Sequence, residues 1–226
     1  MSRGLLFSQM EPPAGWEDDF HDWYERDHIP ARMAIPGFAG AVRYELTGSE
    51  GGPQAAAWLA CYFLDDMAAL DSPAYRELKR APGERTERML ANVNGFTRYT
   101  ADELSDTGAP APGGAEPQAL LAIAFAVPDA DVAEFDGWYE EEHVPLLMRV
   151  PGWLRVRRYR VRPGSEGPPW THLALHELAD AAALERPERA AARDTPRRAA
   201  LARRDWFSSG RWVYRPIHRA TAAAAA

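Results

Sequence analysis

Residues 22–38 read DWYERDHIPARMAIPGF, and residues 137–153 read GWYEEEHVPLLMRVPGW. A shift of 115 positions carries Trp23, Tyr24, Glu25, His28, Pro30, Met33, Pro36 and Gly37 onto Trp138, Tyr139, Glu140, His143, Pro145, Met148, Pro151 and Gly152 without a gap. The match begins earlier, at Phe20 and Phe135, and runs on to Arg43–Tyr44 and Arg158–Tyr159. The chain is an internal duplication, and its 226 residues divide into two halves of ordinary domain size.

Around each copy the elements fall in the same order. An apolar run, GLLFSQM or ALLAIAFAV, suits a buried strand. The quoted stretch has helical spacing, with Phe20, Trp23, Tyr24 and Ile29 on one stripe and acids opposite. AGAVRYELTG and LRVRRYRVRPG alternate as half-buried strands do, and AAAWLACYFL and WTHLALHEL give a third strand. Helices interrupted by prolines follow, over DDMAALDSPAYRELKR and ADAAALERPERAAARDTPRRAALA. VNGFTRYTA and SGRWVYRPIH close the halves as fourth strands. The order is β-α-β-β-α-β, twice, which predicts an α+β fold of two tandem ferredoxin-like units. Residues 1–104 form the first unit, 105–117 a Gly/Pro/Ala linker, 118–219 the second unit, and 220–226 a disordered alanine tail. A four-stranded sheet with helices on one face leaves its other face bare. Packing the two units sheet to sheet covers both bare faces, so the chain is expected to carry its own dimer partner. A homodimer of such chains is left open.

Composition narrows the function. A hydrophobic fraction of 46% with 11% aromatics fills a core, and a formal charge of −7 with mixed signs repels a polyanion, so no nucleic-acid partner is expected. One cysteine, Cys61, allows neither a disulfide framework nor a CxxC site. The apolar runs are too short for a signal peptide or a membrane span, so a cytoplasmic protein with no membrane partner is expected. Nucleotide, dinucleotide, serine-hydrolase and zincin motifs are all missing.

The pattern W-Y-x-x-x-H-x-P, followed by P-G-F or P-G-W and then R-Y, resembles the EthD-like proteins of the dimeric α+β barrel superfamily. The resemblance implies an intramolecular version of that barrel, with one or two apolar pockets. It implies cofactor-independent chemistry on a small hydrophobic, aromatic or polyketide-type molecule, of isomerase, cyclase or lyase type. It also implies that His28 and His143 are the residues that move protons. The alternatives left open are a cofactor-free or haem-binding monooxygenase and a non-catalytic binding or accessory protein. A pocket of roughly 300 Å³ or more would favour a ligand over a filled scaffold.

The residues themselves bear on these roles. An imidazole with a pKa near ~6.5 can take and return a proton at neutral pH, which suits a cofactor-free site. The plainer reading has each histidine fastening its proline-kinked helix to a carbonyl. Tyr24 and Tyr139, four residues before those histidines, and Tyr62 are candidate substrate donors, as are Tyr44 and Tyr159, for which cross-strand packing is the plainer role. In the third strand of the second half, His172, Ala174 and His176 share a face and Leu173 and Leu175 the other. With the leucines packed on the helices, His172 and His176 would line the space between the sheets as substrate contacts. At ~3.3 Å per residue their backbones stand about 13 Å apart, too far to share one metal ion. One of them combining with His143 is left open, but a polar pocket lining is the better supported reading and no metal site is expected. The second half thus has the richer polar set and is the half expected to hold the working pocket.

Overall fold

The structure is a computed structural model that describes residues 2–108 and 116–222. The first half supplies strands β1 (Gly4–Glu11), β2 (Phe38–Gly51), β3 (Trp58–Leu64) and β4 (Asn94–Thr107). The second supplies β5 (Ala119–Phe125), β6 (Trp153–Val161), β7 (His172–Leu178) and β8 (Ser209–Thr221). All pairs are antiparallel, and the strands close into one barrel in the order β1-β3-β2-β8-β5-β7-β6-β4. Each half therefore contributes four contiguous staves. They meet along two seams, β2–β8 and β4–β6. At the β4–β6 seam, Arg155 forks onto Asp106 with both contacts at 2.6 Å, and Arg162 forks onto Asp102 at 2.7 and 2.6 Å.

This closure corrects two expectations. The sheets do not lie face to face over a hollow; they join edge to edge, and among the described residues no strand edge is left open. The space they enclose is filled by Leu5, Phe7, Leu59, Leu173, Leu175 and Trp212 among others. Leu173 and Leu175 thus point into the barrel, while His172 and His176 point outward to the helices, the reverse of the expected facing. The strands also overrun the boundaries drawn from composition. Ser105, Asp106 and Thr107, assigned to the linker, pair with Arg158, Arg157 and Val156, and Ala220 and Thr221, assigned to the tail, pair with Ala41 and Gly40. Linker positions 109–115 and tail positions 223–226 lie outside the described residues.

Helices cover the barrel outside in two separate layers. The first half gives α1 (Glu17–Trp23), α2 (Ile29–Met33), α3 (Pro73–Arg80) and α4 (Glu84–Leu90). The second gives α5 (Val132–Trp138), α6 (Val144–Leu147), α7 (Glu188–Arg193) and α8 (Pro196–Leu201). Between α1 and α2, and again between α5 and α6, the chain widens into a π-helical turn, over Tyr24–His28 and Tyr139–His143. Pro30 and Pro145 explain it. Each lacks an N–H, and its ring would press on the carbonyl four residues back, so the turn opens and closes instead through Ile29 N–H to Tyr24 O and Val144 N–H to Tyr139 O.

The duplicated Arg-Tyr pair completes each copy. Arg43 lies 4.4 Å over the Tyr24 ring and donates to Glu25 Oε1 at 3.0 Å; Arg158 lies 4.4 Å over Tyr139 and donates to Glu140 Oε1 at 2.6 Å. The phenylalanine, tyrosine and glutamate of each copy thus seat a guanidinium from the next strand, with Arg43 also 5.3 Å over Phe20 and Arg158 5.6 Å over Phe135. The Pro-Gly turn that leads into this strand needs a left-handed residue, with φ +96° at Gly37 and +87° at Gly152. A Cβ on Gly37 would sit 2.8 Å from the Ala69 methyl. Gly37→Ala is expected to cost about 1–2 kcal/mol, measured as a lower denaturation midpoint at unchanged slope.

Candidate active site

A cavity of about 580 Å³ lies between the outer face of the first-half sheet and its helix layer. The π-turn brings His28 into its wall between two rings, with centroids 4.4 Å from Trp23 and 4.8 Å from Tyr24. His28 is 5% exposed, and its Nδ1 has no hydrogen-bond partner among the described residues. Burial, then the charges of Arg32 and Arg43, hold its pKa well below the ordinary histidine value, so the ring is neutral at pH 7. Tyr62, reaching in from β3, has a buried hydroxyl without a partner, and burial pushes its pKa well up, so it stays a donor. Arg32 follows one turn after His28. It donates through Nη1 to the His28 carbonyl at 3.0 Å and leaves a buried Nε unpartnered. The cavity is also lined by Tyr75, whose hydroxyl takes a 3.2 Å bond from Arg98 Nη2.

The opposite half closes this site. The segment between β6 and β7 folds back so that Arg98 N–H donates to Glu166 O at 2.7 Å and Glu166 N–H to Arg98 O at 2.8 Å. Glu166 thereby becomes part of the first-half cavity wall. Its sequence, Gly-Ser-Glu-Gly at 164–167, repeats the Gly-Ser-Glu-Gly at 48–51. Glu50 of that first copy makes the reciprocal crossing into the second half, where it forks onto Arg189 at 2.7 and 2.5 Å.

The corresponding place in the second half is nearly closed, with a cavity of about 40 Å³. Phe125, Trp153, Arg189 and Phe207 crowd it. His143 lies stacked on Trp138 at 4.6 Å, and its Nδ1 is bonded to the Ala192 carbonyl at 2.9 Å. That is the helix-fastening role, and burial lowers its pKa to about 4. His176 is also fully engaged. Trp153 Nε1–H donates to its Nδ1 at 3.2 Å, which leaves Nε2–H to donate to the Tyr139 hydroxyl at 3.0 Å. The expectation that the second half holds the working pocket is therefore corrected, because its polar set is spent on itself.

Of the residues singled out from the sequence, Tyr24, His28 and Tyr62 meet at the first cavity and Tyr139, His143 and His176 at the second. His172 lines neither of these two; its Nδ1 is 2.9 Å from the Thr171 hydroxyl and its Nε2 3.6 Å from Asp136. Tyr44 and Tyr159 point into the barrel and line neither, so their role as substrate donors does not fit. Arg32, Tyr75, Arg98 and Glu166 were missed. Only Arg32, four residues after His28, and the Gly-Ser-Glu-Gly repeat gave a signal that could have found them. Among the described residues no cluster of three His, Cys, Asp or Glu side chains could hold a metal ion, and no helix is long and apolar enough to cross a membrane.

No family model matches the chain, and no curated protein does. Solved structures do match, over nearly the whole length. A candidate monooxygenase from Fusobacterium nucleatum superimposes with a TM-score of 0.64 at 11% identity, over 97% of this chain and 94% of its own. An anthrone oxidase-like protein gives 0.64 at 14% identity, over 100% and 97%. A candidate monooxygenase from Lactobacillus acidophilus gives 0.60 at 12%, over 98% and 97%. The shared fold is a mixed α+β one, an eight-stranded antiparallel barrel with helices. At these identities the likeness concerns architecture, and the chemistry has to be argued from the cavity.

Proposed function

We propose that the first-half cavity is the active site of a cofactor-independent enzyme that moves a proton on a small hydrophobic molecule of aromatic or polyketide type. The two halves are read, in the same proposal, as tandem ferredoxin-like repeats of an EthD-like protein, of which only one has kept an open pocket. The observation that carries the reading is the gathering of three buried, unpartnered polar atoms, His28 Nδ1, Tyr62 Oη and Arg32 Nε, in the helix and strand walls of one cavity. Leaving such atoms unpaired costs on the order of 1–3 kcal/mol each, a cost that polar atoms of a bound substrate would remove. The volume exceeds the roughly 300 Å³ at which a ligand pocket begins.

The roles follow from the charges. His28, neutral at pH 7, accepts a proton from a carbon or hydroxyl whose anion is conjugated to a carbonyl. Arg32 and Tyr62 donate to the oxygen on which the negative charge collects. So weak a base works only where that anion is well stabilised, and its conjugate acid returns the proton readily, which suits isomerisation or cyclisation. Because the imidazole is already neutral, kcat/KM is expected to be flat from pH 6.5 upward.

Oxygenation is a second reading, favoured by what the neighbouring structures are described as. The carbanion formed at His28 would then pass electrons to O2, and an anthrone methylene would become a carbonyl with release of one water. Anthrone is a suitable probe for both. Oxygen uptake equal to anthrone loss supports oxygenation, whereas hydrogen exchange at the methylene without oxygen uptake supports the isomerase-type reaction. In either case His28→Gln is expected to lower the rate about a hundredfold, the low end of general-base contributions, and His143→Gln to stay within about threefold. A folded His28→Gln protein at full rate would end the proton-transfer reading.

A further inference from the structure

The second half's small cavity is surrounded by arginines that its carboxylates do not match. Arg189, Arg193, Arg198 and Arg211 line it, and Glu50 is the one acidic residue in its wall. Glu50 is already taken by the two-pronged contact with Arg189. Among the described residues, neither Arg193, Arg198 nor Arg211 has a carboxylate within 4 Å, and the Arg211 guanidinium has no hydrogen-bond acceptor at all. Arg198 is held in place by donating to the Arg193 carbonyl at 3.0 Å and by lying 5.7 Å over the Phe207 ring. Arg211, on β8, is half-buried.

Like charges brought together in a partly dry site repel, and a fold keeps such a cluster at a cost unless something neutralises it. The cost is visible in both half-buried members, whose pKa values are lowered, first by burial and next by a neighbouring arginine, Arg193 for Arg211 and Arg211 for Arg198. The first half avoids this. There Arg98, at the strand position matching Arg211, donates to the Tyr75 hydroxyl, and Tyr75 stands where the second half has Arg189.

We propose that this second site binds the oxyanion end of a small acid, a carboxylate or phosphate group, between Arg193, Arg198 and Arg211. The size agrees. About 40 Å³ is room for roughly three water-sized positions, enough for the oxygens of one such group and far too little for a whole aromatic substrate. A neighbouring groove of about 490 Å³ shares Arg189, Arg193 and Arg198 with it and has room for the rest of the acid. Arg186, Glu185 and Asp194 also line that groove, and among the described residues neither acid is within 4 Å of a guanidinium, so four arginines face two carboxylates there. Planar guanidinium forks are the side chains best shaped to grip such a group. The duplication would thus have turned one copy of an open pocket into an anion site. This inference stands on the second half alone and does not need the chemistry proposed for the first.

The test is calorimetric titration of the full chain at constant ionic strength, with inorganic phosphate and, separately, acetate. Saturable one-to-one binding of either anion is expected, and the one that binds more tightly names the acid class. Arg211→Gln should weaken it at least tenfold. Arg193→Gln, at an exposed position whose change cannot disturb the core, should weaken it at least threefold, and Arg204→Gln, an exposed arginine outside the site, should leave it unchanged. Absence of saturable heat with both anions, or equal binding by the wild type and by both site variants, overturns the proposal.

Discussion

Glu177→Ala is expected to lower the stability of the protein by about 3–5 kcal/mol, the range for breaking a buried ion pair. Glu177 and Arg157 lie on neighbouring strands β7 and β6 with their side chains turned into the barrel, 8% and 6% exposed. They bond to each other there, and the Arg157 guanidinium rests 3.7 Å from the centre of the Phe63 ring, contributed by the other half. Arg157 Nε and the nearby Tyr159 hydroxyl have no partner among the described residues, so this corner of the lumen already holds unsatisfied polar atoms. Removing the carboxylate leaves a largely buried guanidinium without its charge partner. Replacing both partners, Arg157→Met with Glu177→Leu, removes the buried charge altogether and should return most of the loss. Chemical denaturation measures each variant. A single variant that loses less than about 1 kcal/mol would place the pair among ordinary exposed salt bridges and refute the argument.

The same pair shows where the sequence stops being readable. Repetition of the Trp-Tyr, His, Pro-Gly and Arg-Tyr positions, with the order of apolar and alternating runs, was enough to read eight strands, two helix layers and their division between the halves. The inward and outward faces were not readable. In a sheet with one wet face, polar residues mark the outside, but closure of the barrel buries both sides, and all seven residues of β7 from His172 to Leu178 are buried. Alternation of His with Leu then signals two faces without saying which is which. What decides it is distant in sequence: Tyr139 and Trp153 satisfy His176 on the helix side. The seams were hidden for a related reason, since pairing of Asp106 with Arg157 links elements whose local patterns carry no trace of each other. At the site, the motif pointed to His28 and His143 equally. Their difference lies outside it, in whether a carbonyl such as that of Ala192 comes within reach.

Those buried imidazoles also set how the protein should respond to acid. His143 and His172 have pKa values lowered to about 4, in each case chiefly by burial, and burial holds His28 and His176 well below the ordinary value. In the unfolded chain all four titrate near ~6.5. Between the folded and unfolded values the unfolded chain holds more protons, so stability rises with pH across that window and falls as the pH is lowered through it. From pH 7 to pH 5, His143 and His172 should each remove about 2 kcal/mol, and the other two histidines act in the same direction. The sum approaches the whole margin of about 5–15 kcal/mol that a folded domain possesses. Two ion-paired carboxylates titrate outside the window. Arginines hold Asp102 and Asp106 below the usual carboxylate range, so their loss comes only at lower pH. Urea denaturation at pH 7 and pH 5 makes the comparison, and His143→Gln with His172→Gln should reduce the difference by about 4 kcal/mol. A wild-type stability that stays level between the two would mean the imidazoles are reached by water or paired in a way that burial does not describe. His28 would then lose the neutrality on which its use as a base depends.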